Sequence, residues 1–395
     1  MSKKIYIYYK DESNLIGTLY VDTSRNKEMY SFEYSIDALK SNLTSVINDS
    51  EIEKIAGRQF KLDSSTPYHF LQDSSPDRWG QNLIKKKLNN KNINYSDYLL
   101  NVSDCSRMGA LRYKEDINGP FLLDDSNIPP YKFLRELENA AYNYEEFSDD
   151  EYWKLLLSPG SSLGGARPKA TIYGSQNELY MAKFNHKNDD YDVSKVEYLT
   201  YRLAKDVGIN FSDSRLIEIS SNRSVFLTKR FDRDKEDRIH YVSFMTILNV
   251  KEGDSSKYTY LDVAESLIQN SGNPIEDLKE LFRRIAFYII VHNYDDHLRN
   301  MGMIYKDGQY RLSPCFDVNI TLYNSDLTLS IDGDGNNTLD KLIECASFFR
   351  IELEEGRKII KEMRETISKS FKRVAKEINL DSNIYNHISR FLSVE

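Results

Sequence analysis

The sequence predicts an α+β fold with more than one domain. Short strand-like segments crowd the first third of the chain, whereas the last third is mostly helical. The length of 395 residues corresponds to two or three domains at roughly 150 residues each. Hydrophobic residues make up 40% of the chain, so it can bury substantial cores and is neither disordered nor collagen-like.

The first third of the chain predicts a small α+β unit. Segments rich in β-branched and aromatic side chains predict short strands, at residues 4–9, 15–21 and 29–34. Ser75 followed by Pro76 predicts the N-cap and first residue of a helix that continues to Leu88. A second helix is expected over 95–102 and a strand over 109–113.

A linker is expected after this unit, because residues 115–130 combine Gly, Pro, Asn and Asp. Apolar residues at helical spacing predict helices over 131–147, 193–208, 281–291 and 351–378. A hairpin is predicted from strands at 302–305 and 309–312.

Charge and cysteine content exclude several classes of protein. Lys and Arg number 53 and Asp and Glu 61, so the net charge is −8 and a nucleic-acid-binding footprint is absent. The basic run Lys85–Lys87 is interpreted as a solvated helix face, with a nucleic-acid-binding patch as the alternative. Cys105, Cys315 and Cys345 lie far apart, which speaks against a disulfide scaffold and fits a reducing cytosol. No apolar stretch approaches the ~20 residues of a membrane-spanning helix, and the N-terminus does not resemble a signal peptide.

Four polar features between residues 161 and 317 are candidates for chemistry. The first is Ser161-Ser162-Leu163-Gly164-Gly165-Ala166-Arg167-Pro168-Lys169, between strand-like segments. The paired glycines let backbone N–H groups approach phosphate oxygens, because no Cβ intervenes. The segment lacks the Gly-Lys-Ser/Thr triplet of a Walker A loop, and an ordinary glycine-containing turn is the alternative.

The second feature is Lys183, in the apolar strand-like segment 180–184. A buried ammonium is costly unless an anion meets it. Glu197, early in the predicted helix 193–208, is a candidate partner, as in protein kinases. The alternatives are a solvated lysine on an edge strand and a glutamate that faces solvent.

The third feature is the polar run 292–300, which follows an apolar helix. In the kinase catalytic loop an aspartate deprotonates the attacking hydroxyl, and an asparagine five positions later holds Mg²⁺. Asp295 and Asn300 have this spacing, although Tyr294 stands where kinases have arginine. A transition-metal hydrolase site and a plain surface loop are alternatives, but His292 and His297 do not have the H-E-x-x-H spacing.

The fourth feature is Asp317, which lies just beyond the predicted hairpin. Kinases present a second Mg²⁺ ligand on an aspartate in such a position. Val318 follows it, so the usual Asp-Phe-Gly signature is absent. Each feature is ambiguous alone, but their order favours phosphoryl transfer from ATP.

The chain resembles the HipA-type toxin kinases. The matching segments occur in family order, at residues 77–80, 109–112, 162–169, 226–233, 295–300 and 314–318. The resemblance implies a protein-kinase-like two-lobed fold. Residues 1–120 would be the HipA-type N-terminal subdomain, 131–232 the kinase N-lobe with its glycine loop, and 233–395 the helical C-lobe.

The resemblance also implies catalytic and metal-binding roles. Asp295 would be the catalytic base, and Asn300 and Asp317 would hold Mg²⁺. Lys183, supported by Glu197, would meet the α- and β-phosphates of ATP.

The remaining nucleotide contacts are implied in the same way. The backbone of Lys229 and Phe231 would hold adenine, and Asp232 would lie near the ribose. The loop with Gly164 and Gly165 would cover the phosphates. Its serines, Ser162 or the adjacent Ser161, match the position at which such kinases autophosphorylate.

Members of this family are usually encoded beside a HipB-like helix-turn-helix antitoxin and phosphorylate a protein of translation, such as an aminoacyl-tRNA synthetase. The resemblance therefore implies a cytoplasmic kinase that reaches DNA only through an antitoxin. A stand-alone HipA-like kinase without an antitoxin and an inactive scaffold that binds a repressor are the alternatives. The four intact polar positions, Lys183, Asp295, Asn300 and Asp317, argue against the scaffold.

Overall fold

The computed structural model describes most of the chain, in segments separated by short gaps. The described residues are 2–25, 27–61, 66–89, 92–123, 128–144, 156, 167–220, 223–251, 253–323, 326–335 and 337–392. Within them, no helix combines the length and the apolar character needed to cross a membrane.

The strands are, in chain order, β1 (Ser2–Tyr9), β2 (Leu15–Ser24), β3 (Lys27–Tyr34), β4 (Gln59–Phe60), β5 (Leu111–Lys114), β6 (Lys169–Tyr173), β7 (Leu179–Phe184), β8 (Ser214–Ser220), β9 (Arg223–Lys229), β10 (Arg233–Asp234), β11 (Asp237–Arg238), β12 (His240–Ser243), β13 (Gly302–Lys306) and β14 (Gln309–Leu312). The α-helices are α1 (Ile36–Lys40), α2 (Arg78–Leu88), α3 (Tyr95–Leu100), α4 (Leu134–Tyr142), α5 (Val193–Asp206), α6 (Phe244–Ile247), α7 (Tyr260–Asn270), α8 (Pro274–Val291), α9 (Leu339–Glu344), α10 (Leu353–Glu377) and α11 (Ser382–Phe391). This mixture of helices and strands confirms the predicted α+β class.

The chain forms two compact units that interleave along the sequence. The first contains Met1–Ala182 and Arg230–Val242, and the second contains Lys183–Lys229 and Ser243–Glu395. The three-domain division suggested by the sequence remains a prediction.

An antiparallel sheet of order β4-β3-β2-β1-β5 organises the first unit. Its strands alternate in burial, so that one face contributes fully buried side chains such as Ile5, Leu19 and Phe32 to the core. All three strands predicted near the N-terminus are present. Strands β6 and β7 also lie side by side in a sheet.

The start of α2 differs from the prediction. Asp77, not Ser75, is the N-cap, because its side chain accepts a hydrogen bond from the Gly80 N–H at 2.8 Å. The Ser75 hydroxyl instead donates to the Leu71 carbonyl at 2.8 Å. Pro76 therefore precedes the N-cap instead of opening the helix.

The helix predicted over 131–147 is shorter in the structure. A 3₁₀ turn covers Tyr131–Phe133 and α4 ends at Tyr142, while 145–147 lie outside the described residues.

The C-terminal part of the chain, residues 243–395, is mostly helical, as predicted. The apolar helix α8 begins with Pro274 after the N-cap Asn273 and ends at Val291. His292, its C-cap, has a left-handed backbone with φ of 55°. The long helix α10 is tied to α5 by ion pairs, Arg373 with Asp206 at 2.6 Å and Arg202 with Glu377 at 3.1 Å. The antiparallel hairpin β13–β14 matches the prediction closely.

Candidate active site

Lys183 connects two acidic residues in the second unit. It lies on β7 between the buried Ala182 and Phe184, so its side chain points to the opposite face of the strand. Its ammonium donates to the carboxylates of both Glu197 and Asp317. The side chains of Lys183 and Asp317 are 15% and 14% exposed, so solvent screens this cluster weakly.

The charge of Lys183 is secured by these partners. Burial alone would lower the pKa of the ammonium, but the carboxylates of Asp317 and Glu197 outweigh burial and hold the pKa above its ordinary value. Glu197 reaches the lysine from the second turn of α5, a helix capped by Asp192. A lysine fixed as a cation in this way is suited to meeting phosphate oxygens.

Asp317 has a left-handed backbone, with φ of 54°. The chain just before it is anchored by Cys315, whose N–H donates to the Asn210 carbonyl at 2.7 Å. The Cys315 carbonyl accepts from the Ser212 N–H at 3.2 Å. The aspartate thus follows a well-anchored segment and turns toward Lys183.

Asp295 and Asn300 occupy the polar loop that follows α8. The Asp295 side chain is 63% exposed, and its Oδ1 lies 3.4 Å from Nε2 of His297. Asn300 is buried and donates from Nδ2 to the Asp295 carbonyl oxygen at 3.0 Å. Its Oδ1 is buried and accepts no hydrogen bond from any described residue.

Asp296 has a structural environment that the sequence analysis missed. Its carboxylate accepts hydrogen bonds from the Tyr260 hydroxyl at 2.5 Å and from the Thr328 N–H at 2.6 Å. Burial raises the pKa of Asp296, and these hydrogen bonds only partly offset the increase. The paired aspartates in the sequence were a signal that one of them could be structural, but the partners of Asp296 are distant in the chain.

The oxygen donors fit Mg²⁺, the metal that the kinase resemblance implies. Asn300 offers a buried amide oxygen without a hydrogen-bond donor, and Asp317 offers a carboxylate. Mg²⁺ prefers such hard oxygen ligands and retains waters, so it needs few protein groups. In the described part of the chain, no three His, Cys, Asp or Glu side chains form a metal-binding group.

Lys229, Phe231 and Asp232, the residues expected to bind adenosine, differ from one another in burial and hydrogen bonding. The Lys229 N–H donates to the Asp213 carbonyl at 2.8 Å, and the Phe231 ring packs edge-on against Tyr241. Asp232 is completely buried, with its carboxylate bound by Arg230 and Arg233.

The environment of Asp232 disfavours the ribose contact. Its Oδ2 also accepts the Gly109 N–H at 2.8 Å. Burial would raise the pKa of Asp232, but the two guanidinium groups outweigh burial and hold the pKa well below its usual range. An Asp232 carboxylate committed to this network is an internal structural group of the first unit.

The glycine-loop residues Ser161, Ser162, Gly164 and Gly165 lie outside the described residues. Lys169, just after them, is described: its ammonium lies 2.8 Å from Asp77 Oδ2, and its carbonyl accepts from Trp79 Nε1 at 3.0 Å.

Comparisons with known proteins agree on one family. The family model for the HipA-like C-terminal domain matches residues 161–371. A Haemophilus influenzae protein named "Putative kinase" is 27% identical over 237 residues, which cover 52% of this chain and 68% of that protein. A Sinorhizobium fredii protein with a similar kinase name is 26% identical over 141 residues, one third of each chain.

A solved structure extends the likeness to the whole chain. It is the Shewanella oneidensis toxin–antitoxin complex of HipA, HipB and operator DNA, and the match has a TM-score of 0.72. The match covers 99% of this chain and 95% of that one at 17% identity, so it shows a shared fold. The family model spans more than half of the sequence, and the chain therefore belongs to the HipA-like kinase family.

Proposed function

We propose that the chain is a serine/threonine protein kinase that uses ATP and Mg²⁺. The observation that carries the proposal is the ammonium of Lys183, which joins Glu197 and Asp317 in the unit that also holds Asp295 and Asn300. Protein kinases use these residue types to hold phosphates, to hold metal and to activate the attacking hydroxyl.

Asp295 is proposed as the general base. Its exposed carboxylate is open to a substrate hydroxyl and would orient it and accept its proton at a carboxylate oxygen. Lys183 would donate to the α- and β-phosphate oxygens of ATP. Asn300 and Asp317 would hold Mg²⁺, which neutralises phosphate charge when bound.

The remaining nucleotide contacts are proposed from the backbone and the loop. The main chain at Lys229 and Phe231 would hold adenine, and the loop with Gly164 and Gly165 would cover the phosphates. Asp232 is left out of this proposal, because two arginines bind its buried carboxylate.

The kinase is further proposed to be the toxin of a toxin–antitoxin pair in the cytoplasm. The matched S. oneidensis chain is part of a complex with HipB and operator DNA, which supports a HipB-like helix-turn-helix partner and contact with DNA through it. The proposed substrate is a protein of translation, for example an aminoacyl-tRNA synthetase.

Autophosphorylation in the glycine loop is the proposed off-switch. A phosphate adds about −1.5 to −2 charge and would repel ATP, while binding nearby donors such as Arg167. Mass spectrometry of protein made in cells should find phosphate on Ser162, or on Ser161, and none in an Asp295→Ala variant. Equal ATP affinities in the phosphorylated and unphosphorylated forms would contradict the off-switch.

A further inference from the structure

The backbone that follows Asp317 is held by the polar loop after α8. Two residues beyond the aspartate, the Asn319 N–H donates to Oδ1 of Asn293 at 3.0 Å. The Thr321 N–H donates to the carbonyl of His292 at 3.0 Å. We refer to residues 319–321 as the braced segment. Asn293 is 1% exposed, so solvent does not compete for its hydrogen bond.

Helix α5 holds the middle of the braced segment. The Ile320 N–H donates to Oγ1 of Thr200 at 3.3 Å, and both residues are buried. The Thr200 hydroxyl donates in turn to the Val196 carbonyl at 2.9 Å. Thr200 lies three residues after Glu197, so the two side chains project from neighbouring positions on one side of the helix.

The local conformation explains why bracing matters. Asp317 has a left-handed backbone, which a residue with a Cβ adopts at some energetic cost. Such a conformation persists only when the surroundings fix it. The Lys183 ammonium restrains the carboxylate, whereas the braced segment restrains the backbone two residues downstream.

We propose that Thr200 and Asn293 are positioning residues that set the Asp317 carboxylate for its Mg²⁺–nucleotide ligand. The inference rests on the proposed function and deepens it. Thr200 joins the helix that carries Glu197 to the braced segment, and Asn293 joins the loop that carries Asp295 to the same segment. Helix α5, the loop that carries Asp295 and the braced segment after Asp317 are thereby held in a fixed arrangement.

Thr200→Val tests the inference, because valine has nearly the same shape but cannot accept the Ile320 N–H. Calorimetry measures the affinity for ATP with and without Mg²⁺. The ratio of the two affinities is the Mg²⁺ enhancement. We expect Thr200→Val to lower the Mg²⁺ enhancement about five- to tenfold, as expected for a buried N–H left unpaired, with little change in Mg²⁺-free affinity. Thr200→Ser keeps the hydroxyl and should retain the wild-type ratio.

The ratio separates positioning from a loss of folding, since partial unfolding would weaken both affinities equally. A wild-type ratio in Thr200→Val would overturn the inference while leaving the proposed function intact. A wild-type chain whose ATP affinity does not respond to Mg²⁺ would instead contradict the proposed function, and the inference with it.

Asn293 provides a second and independent variant if Thr200→Val folds poorly. Asn293→Leu removes the acceptor for the Asn319 N–H, and Asn293→Asp retains one. Leucine should lower the Mg²⁺ enhancement and aspartate should recover part of it. Equal ratios in the two variants would count against a positioning role.

Discussion

Asp295 and Asp296 are neighbours in sequence with opposite surroundings. The Asp295 side chain is mostly exposed and lies near His297, whereas Asp296 is buried and accepts hydrogen bonds from Tyr260 and Thr328. We expect Asp295→Asn to lower phosphoryl transfer by a factor of about 10²–10⁴ without changing stability, because it removes only the general base.

Asp296→Asn is the matched control for that substitution. An asparagine can accept at only one side-chain oxygen, so we expect a loss of about 1–3 kcal/mol in the free energy of unfolding. Denaturant unfolding and a phosphorylation assay on both variants check the pair. A stable, inactive Asp296→Asn protein beside a fully active Asp295→Asn protein would reverse the two roles.

His240 gives the first unit a pH-dependent stability. Burial lowers its pKa to about 4, against about 6.5 for an ordinary histidine. The unfolded chain therefore binds a proton at higher pH than the folded chain. Stability should be complete above about pH 6.5 and should fall by about 3 kcal/mol as the pH drops to about 4.

Denaturant unfolding between pH 4 and pH 7 measures this loss. His240→Leu should remove most of the decrease, while His387→Asn, at an exposed position, should keep it. An unchanged pH profile in His240→Leu would show that other groups cause the decrease.

At the scale of elements, we expect the stability of the segment that follows β9 to depend on Asp232. Its carboxylate binds the buried guanidinium groups of Arg230 and Arg233. Asp232→Ala would leave both without this partner, so we expect a loss of about 3–5 kcal/mol in the free energy of unfolding. Asp234→Ala, at an exposed neighbour, should change stability little.

Unfolding curves and ATP affinity on the same two proteins decide the role of Asp232. If Asp232→Ala were as stable as the wild type but bound ATP weakly, the ribose contact expected from the sequence would be restored.

Periodicity and turn chemistry predicted those elements that depend on local interactions. The hairpin β13–β14 and the long amphipathic α10 appear within two residues of their predicted bounds. The predicted start of α2 was wrong because Ser75 and Asp77 are both suitable N-cap residues. Asp77 is the N-cap in the structure, because the Ser75 hydroxyl donates to the Leu71 carbonyl instead.

The candidate site was predictable only in part, for a similar reason. Glu197, early in its helix, was a candidate partner of Lys183 by analogy with protein kinases, and the structure brings the two side chains together. The partners of Asp296, Tyr260 and Thr328, lie in other parts of the chain, so the sequence alone does not show that Asp296 is structural. The arginines that bind Asp232 are its close neighbours in sequence, but their burial around its carboxylate depends on the fold. The bracing by Thr200 depends on a contact between residues 120 positions apart.

At the scale of the whole molecule, charge limits what the isolated chain can bind. A net charge of −8 provides little attraction for phosphate backbones. We expect the purified chain to bind duplex DNA no more tightly than the roughly 10⁻⁴–10⁻⁶ M typical of non-specific contacts at physiological salt. A HipB-like partner should confer tight binding in a gel-shift titration. Tight, salt-resistant binding by the chain alone would contradict the proposal that it contacts DNA through an antitoxin.

The central claim is that this chain transfers phosphate from ATP with Asp317 as a metal ligand. The most direct measurement is incorporation of label from γ-labelled ATP with Mg²⁺, in the wild type, Asp317→Ala and the exposed control Asp340→Ala, alongside their melting temperatures. We expect incorporation in the wild type and the control, and a loss on the order of 100-fold or more in Asp317→Ala assayed below its melting temperature, where the variant is folded. Wild-type incorporation by Asp317→Ala, or none by any of the three folded proteins, would contradict the account.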